Sequence, residues 1–186
     1  MDRKPTQRAT EGLTLIELMI VLAIFGVLLF AGVPAFHRAL QKSRVESEAH
    51  RLMRAIIFTR SEALRRNTPV SMCPSAMAET GRAECAGVYA SGWIVFENRD
   101  GDRVVDAEDV VIRIFEALPP GFRLTNRAGT RNASEILSYK PDGTSGRTRT
   151  LLVCAATGDS IAPKSVILSN VGRPRLATGW GTCPVG

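Results

Sequence analysis

One stretch dominates this sequence: LTLIELMIVLAIFGVLLFAGV, from Leu13 to Val33, carries a single charge, Glu17, in 21 residues. As a helix rising ~1.5 Å per residue it would span about 30 Å, the thickness of a bilayer core. The twelve residues before it, MDRKPTQRATEG, are polar and hold Arg3, Lys4 and Arg8. That basic flank places the short N-terminal end in the cytoplasm and the remainder outside. Val33-Pro34-Ala35 resembles the small-residue site of a secretory signal peptide. The apolar run is longer than the usual core of such a signal, however, and has an acid near its start. A plain membrane anchor explains the length but not Glu17, because a carboxylate in lipid costs ~2.5–3.5 kcal/mol on insertion scales and calls for a partner.

Beyond Pro34 the helical pattern continues to about Arg66. Val45, Ala49, Leu52, Met53, Ile56, Ala63 and Leu64 recur at helical spacing, with charged residues between them. Glu46 and Glu48 lie early and Arg65 and Arg66 late, matching the helix dipole, and Asn67-Thr68-Pro69 ends the segment. His37 and His50 read as solvated or packed side chains within it. The 16 Gly and 10 Pro fit a β-rich domain better than a bundle of helices. Short strands are expected at Val70–Cys73, Gly92–Phe96, Val110–Phe115, Phe122–Thr125, Glu135–Tyr139, Thr150–Cys154, Ser165–Ser169 and Arg173–Ala177. Turn sequences such as Asp100-Gly101, Pro119-Pro120-Gly121 and Pro141-Asp142-Gly143 separate them. The fold class read from this order is α+β, one long N-terminal helix packed against a β-rich, sandwich-like domain.

Four cysteines, Cys73, Cys85, Cys154 and Cys183, form no C-x-x-C pair, and both histidines lie far upstream, so zinc-ligand spacing is missing. An even count in an exported domain implies two disulfides with three possible connectivities. Pairing of near neighbours, Cys73 with Cys85 and Cys154 with Cys183, is the preferred one. Residues 97–109, ENRDGDRVVDAED, resemble a calcium loop, but with Gly101 at its sixth position Phe96 and Ala107 occupy the two positions that require acids. A polar hairpin turn is the better reading, with weak cation binding by Asn98, Asp100, Asp102 and Asp106 as the alternative. No catalytic arrangement emerges: the chain after Pro69 has no His, and paired cysteines are not nucleophiles. Neither an enzyme nor a cofactor is expected.

Gly12-Leu13-Thr14-Leu15-Ile16-Glu17 resembles the cleavage motif of type IV prepilins and type II secretion pseudopilins, with Leu13 where most members carry Phe. The resemblance implies that a prepilin peptidase cuts between Gly12 and Leu13 and methylates the new amine on Leu13. It implies that Glu17 pairs with the N-terminal amine of a neighbouring subunit during assembly, each buried charge made tolerable by the other. Pro34 matches a kink position common in pilins. The implied domains are a leader at 1–12, a membrane and assembly helix at 13–35, an amphipathic helix at 36–67 and a periplasmic head at 68–186. The head resembles that of the GspH/FimT family of minor pilins and pseudopilins. The similarity rests on the Cys73…Cys85 loop, the Gly92–Phe96 strand, the acidic turn after it and the final hairpin with Gly172-Arg173-Pro174-Arg175.

Charge adds a separate point. The chain carries a formal +6, and from Lys140 to the end six basic residues face only Asp142 and Asp159. Arg147 and Arg149 are two apart, as are Arg173 and Arg175, so each pair shares one face of a strand. Pro174 cannot donate to a ladder, which puts its strand at a sheet edge and exposes both arginines. Guanidinium groups so placed can fork onto phosphates. Gly172-Arg173-Pro174-Arg175 also resembles the motif by which FimT-type minor pilins hold DNA. The expected partners are other pilin subunits, the prepilin peptidase, the inner membrane and double-stranded DNA, the last through Arg173 and Arg175 with Arg147, Arg149 and Lys164 helping. The alternative is a tip pseudopilin of type II secretion that holds no DNA.

Overall fold

The computed structural model describes residues 14–102, 104–155 and 161–184. Gly12 and Leu13, and with them the proposed cleavage site, lie outside the described residues. The chain divides into two compact units after Ala39.

Helix α1 runs from Leu15 to Arg66, 52 residues, with Pro34 inside it. Thr14 precedes it as a cap: its hydroxyl oxygen accepts the Glu17 N–H at 3.3 Å and its carbonyl accepts the Leu18 N–H at 3.1 Å. Glu17 therefore sits at the third helical position, where the exposed N–H groups of a first turn favour an acid. In the first unit the apolar side chains of α1 are uncovered, with Phe30 89% and Leu15 77% exposed. No other part of the described chain buries them, which is the condition of a segment whose solvent is not water.

In the second unit α1 changes character. Val45, Ala49, Leu52, Ala55, Ile56 and Ala63 are fully buried in one core with both sheets. Leu64, placed on the apolar stripe by sequence, is instead 49% exposed. The helix ends in an ionic cluster. Glu62 accepts from Arg65 at 2.6 Å and Arg66 at 2.7 Å, and Arg66 and Arg99 both reach Glu97. These ties bind the end of α1 to strand β2, and the acids are almost wholly buried.

The strands are β1 (Val70–Pro74), β2 (Trp93–Glu97), β3 (Val110–Phe115), β4 (Phe122–Asn126), β5 (Leu137–Tyr139), β6 (Arg149–Ala155), β7 (Lys164–Leu168) and β8 (Pro174–Thr178). They form two antiparallel four-stranded sheets, ordered β3-β2-β1-β5 and β4-β6-β7-β8. This is the expected α+β fold. The differences are local. Strand β5 begins at Leu137 rather than Glu135. A short helix, α2 (Met77–Thr80), lies within the Cys73…Cys85 loop, and a 3-10 turn at Tyr89–Ser91 leads into β2. These turns have no apolar period and so left no pattern in the sequence.

Trp93 and Tyr89 centre the first sheet's inner face. The Tyr89 hydroxyl lies within hydrogen-bond distance of the carbonyls of Met72 and Glu135 and donates its one proton between them, and burial pushes its pKa up. Both disulfides take the near-neighbour pairing, Cys73–Cys85 and Cys154–Cys183, and no described cysteine is free.

Candidate nucleic-acid interface

Residue alternation divides the second sheet cleanly. Phe122, Leu124, Leu151, Val153, Val166, Leu168 and Leu176 belong to the core. Their neighbours in sequence, among them Arg123, Thr150, Leu152, Cys154, Ser165, Ile167 and Arg175, therefore face outward. The segment after β8 folds back over this outer face. Ser165 Oγ donates to the Trp180 carbonyl at 2.7 Å, the Thr182 N–H donates to the Arg127 carbonyl at 3.2 Å, and Cys183 is bonded to Cys154.

Strand β8 is an edge strand, as its proline required, and both Arg173 and Arg175 are exposed. Arg173 follows the tight turn between β7 and β8. Its N–H donates to Ser169 Oγ, and its carbonyl accepts the Ser169 N–H. Gly172 holds this turn at φ +79°, and its carbonyl accepts the Tyr139 hydroxyl at 3.0 Å. A side chain at Gly172 would meet the Gly143 carbonyl oxygen and the Tyr139 ring. The loop between β5 and β6 is tied to the same turn, since the Ser145 and Gly146 N–H groups both donate to the Asn170 carbonyl. Gly172 is thus required by contact as well as by backbone angle.

The five basic residues singled out by sequence do not form one cluster. Arg149 pairs with Glu135 at 2.7 Å and Lys164 with Glu46 at 2.8 Å, each cation only about a fifth exposed. The bond from Lys164 holds the Glu46 carboxyl below its ordinary pKa. By register Arg149 opposes Leu168 and Lys164 lies two residues before Val166, so both point to the core side of the sheet. Arg147 is exposed beside Arg149, along an open groove lined also by Glu135, Ser138 and Ser145. Among the described residues no carboxylate lies within ion-pair distance of Arg147, Arg173 or Arg175. Of the five, Arg149 and Lys164 are each held by a carboxylate, whereas Arg147, Arg173 and Arg175 have none among the described residues.

Two residues not singled out by sequence stand on the outer face with Arg175. The Trp180 ring, 42% exposed, has the Arg127 guanidinium 4.5 Å from its centroid and that of Arg175 at 5.8 Å. The signal was present in Gly179-Trp180-Gly181: a large aromatic between glycines after the last strand has few means of being covered.

The acidic turn after β2 takes the hairpin-like form preferred from sequence. Asp100, Asp102 and Asp106 bring carboxylate oxygens within 4.8 Å of one another, all exposed. Each also accepts a backbone N–H two residues ahead, at Asp102, Val104 and Glu108 respectively. Asn98 turns to Ser71 Oγ and the Asp102 carbonyl. These bonds shape the turn itself.

An uncovered apolar N-terminal helix continuing into the core of a two-sheet domain is the build of a pilin-type subunit, and with its methylation motif it indicates membrane anchoring. The chain belongs to the GspH family: residues 48–172 match the family described as Type II transport protein GspH, and residues 7–33 match the prokaryotic N-terminal methylation motif. The family match ends one residue before Arg173. The structure is similar to that of the type IV minor pilin FimU of Pseudomonas aeruginosa, with a TM-score of 0.54 and 18% identity, covering 74% of this chain and 90% of that one. It is also similar to the minor pseudopilin EpsH from the Type 2 Secretion System of Vibrio cholerae, with a TM-score of 0.50 and 11% identity, covering 73% and 97%. At these identities the likeness is one of fold. No curated protein matches the sequence significantly.

Proposed function

We propose that this chain is a minor subunit of a type IV pilus that captures double-stranded DNA for uptake. A prepilin peptidase cuts it between Gly12 and Leu13 and methylates the Leu13 amine. Its apolar N-terminal helix holds it in the inner membrane with its head in the periplasm, and then packs into the filament. The role is one of assembly and binding, not catalysis.

The observation that carries the DNA reading is the pair Arg173 and Arg175, exposed and without a carboxylate partner among the described residues. Their position on a pinned edge hairpin supports contact with phosphates, which needs no base recognition and so predicts sequence-tolerant, salt-sensitive binding. In the full-length protein in detergent, Arg173→Ala with Arg175→Ala should abolish binding of a short duplex, while Lys164→Ala should change it less than twofold. Duplex binding that survives the double substitution refutes the reading.

For assembly, the capping position of Glu17 supplies a rival role that charge pairing must beat. Glutamine can serve at the third position of a capped helix but carries no charge. Glu17→Gln and Glu17→Ala should therefore both fail to enter filaments. Normal incorporation of Glu17→Gln would leave the acid with only a capping role.

A second reading, a tip pseudopilin of type II secretion without DNA binding, is favoured by the family's description and the likeness to EpsH. It predicts loss of protein export, with no loss of transformation, when the chain is deleted.

A further inference from the structure

The outer face of the second sheet has an order that the hairpin motif does not contain. In the paired strands Thr150, Ile167 and Arg175 form one row across β6, β7 and β8. Arg127 lies one residue past the pair Asn126–Leu151, so it continues that row at the opposite edge. Three strand spacings separate the backbones of Arg127 and Arg175, about 14 Å. Both guanidinium groups nevertheless reach the same ring, that of Trp180, whose strap crosses the row between them.

The strap is fixed at several points. Besides the Ser165 and Arg127 bonds and the disulfide, Gly181 sits at φ +124° so close to the Arg127 carbonyl and Leu152 that it has no room for a side chain. Gly129 meets the Thr182 carbonyl in the same way. An exposed indole on a strap fixed in this way, with two guanidinium groups over its ring, does what aromatic faces do for arginine. It binds the flat cation by its π face and leaves the N–H edges free to take an anion's oxygens. Both arginines lack a carboxylate partner among the described residues, and neighbouring Arg123 and Arg173 add to the positive field.

We propose that Arg127, Trp180 and Arg175 form a phosphate clamp in which Trp180 is the positioning residue, extending DNA contact from the hairpin turn across the outer face of the second sheet to its far edge. The inference rests on the DNA reading given above, and adds to it a ligand, Arg127, and a device, the Trp180 ring, neither of which is part of the hairpin motif. Because the ring is already occupied by two cations, the clamp takes phosphate rather than stacked bases. It should therefore hold duplex and single strands of any sequence.

The test uses the full-length protein in detergent and a short labelled duplex titrated over a range of salt. Arg127→Ala should weaken binding about threefold to tenfold and lower the salt slope by about one, the signature of one lost phosphate contact. Trp180→Leu keeps the charge count unchanged, yet should reproduce both effects, because the guanidinium groups lose their platform; Trp180→Phe should restore most of the affinity. Arg131→Ala, an exposed arginine that does not touch the ring, should change binding less than twofold. Variants are compared only where the Cys154–Cys183 bond is intact by mass.

If the unaltered protein binds no duplex, the DNA reading and the clamp both fall. If Arg173→Ala with Arg175→Ala abolishes binding while Arg127→Ala and Trp180→Leu leave it within twofold, the clamp alone falls. An Arg131→Ala effect as large as that of Arg127→Ala would reduce the clamp to general charge and overturn it. A change in tryptophan emission that is lost in both Trp180→Leu and Arg127→Ala, and that a soluble short-chain phosphatidylglycerol produces while DNA does not, would make the face a lipid-headgroup surface and overturn it too.

Discussion

Replacing Gly172 by alanine inserts one methyl group where the structure has no space. The Cβ would meet the Gly143 carbonyl oxygen, a backbone atom that cannot rotate away, and would lie 2.8 Å from the Tyr139 ring. It would also have to adopt φ +79°, a left-handed conformation that costs an L-residue about 1–2 kcal/mol. Relief requires the turn to part from the β5–β6 loop. That breaks the bond from the Tyr139 hydroxyl to the Gly172 carbonyl and strains those from the Ser145 and Gly146 N–H groups to Asn170. With the conformational cost, about 1 kcal/mol for the broken bond and about 1 more for the two strained ones together, the total is roughly 3–4 kcal/mol. For a chain of this size that lowers the melting temperature by roughly 6–16 °C. Gly146→Ala is the internal control, since Gly146 has φ +69° but nothing within 4 Å of an added Cβ. It should incur the conformational cost alone, about 1–2 kcal/mol. Thermal unfolding of both variants, followed by near-ultraviolet circular dichroism, separates the two terms. DNA titration well below the transition should also show Gly172→Ala weakened, because Arg173 leaves the turn. A Gly172→Ala protein that melts no lower than Gly146→Ala would refute the contact argument.

The ionic cluster at the end of α1 should set the acid stability of the head. Hydrogen bonds from Arg99 to Glu97 and from Arg65 to Glu62 hold both carboxyls below their ordinary pKa. Their contribution is complete above the unfolded value of about 4.3 and is lost as pH falls through the lower folded values. Urea unfolding should show Glu97→Gln destabilised at pH 7 by about 1–3 kcal/mol and its acid decline flattened; an acid decline identical to that of the unaltered protein would exclude the cluster as its cause. Opening the Cys154–Cys183 bond by a Cys154→Ser, Cys183→Ser double substitution removes a cross-link over 29 residues, which the chain-entropy account values at about 3.5 kcal/mol. It should also free the strap that carries Trp180, so DNA affinity should fall together with stability. Unchanged affinity in that variant would show that the strap needs no covalent anchor.

The long helix was legible because its signal is local and continuous. An apolar stretch with one acid needs no tertiary partner to be recognised, and the stripe from Val45 to Ala63 repeats with the helical period. The strands were legible because turn residues bracket them, although Glu135 shows how a short strand loses its end: it leaves the ladder to pair with Arg149. Leu64 departs from its stripe because that side of the helix's last turns is only partly covered, by the loop at Gly143. Pro174 pointed to the edge strand, since its missing N–H is tolerated at the start of a strand whose outer side is unpaired.

The roles of the arginines were another matter. Spacing of two gives a shared face but not the identity of what lies opposite. Arg149 is neutralised by Glu135, 14 residues away, and Lys164 by Glu46, 118 residues away. Arg175 meets Arg127 only through Trp180 and the row that β4, β6, β7 and β8 make together. Sequence by itself determined the apolar helix, its single acid, the α+β order and the edge position of β8, because periodicity, proline and charge act over neighbouring residues. Only the tertiary structure decided which cations remain free, because an ion pair or a cation over a ring depends on the distance between side chains that the chain separates and the sheet brings together.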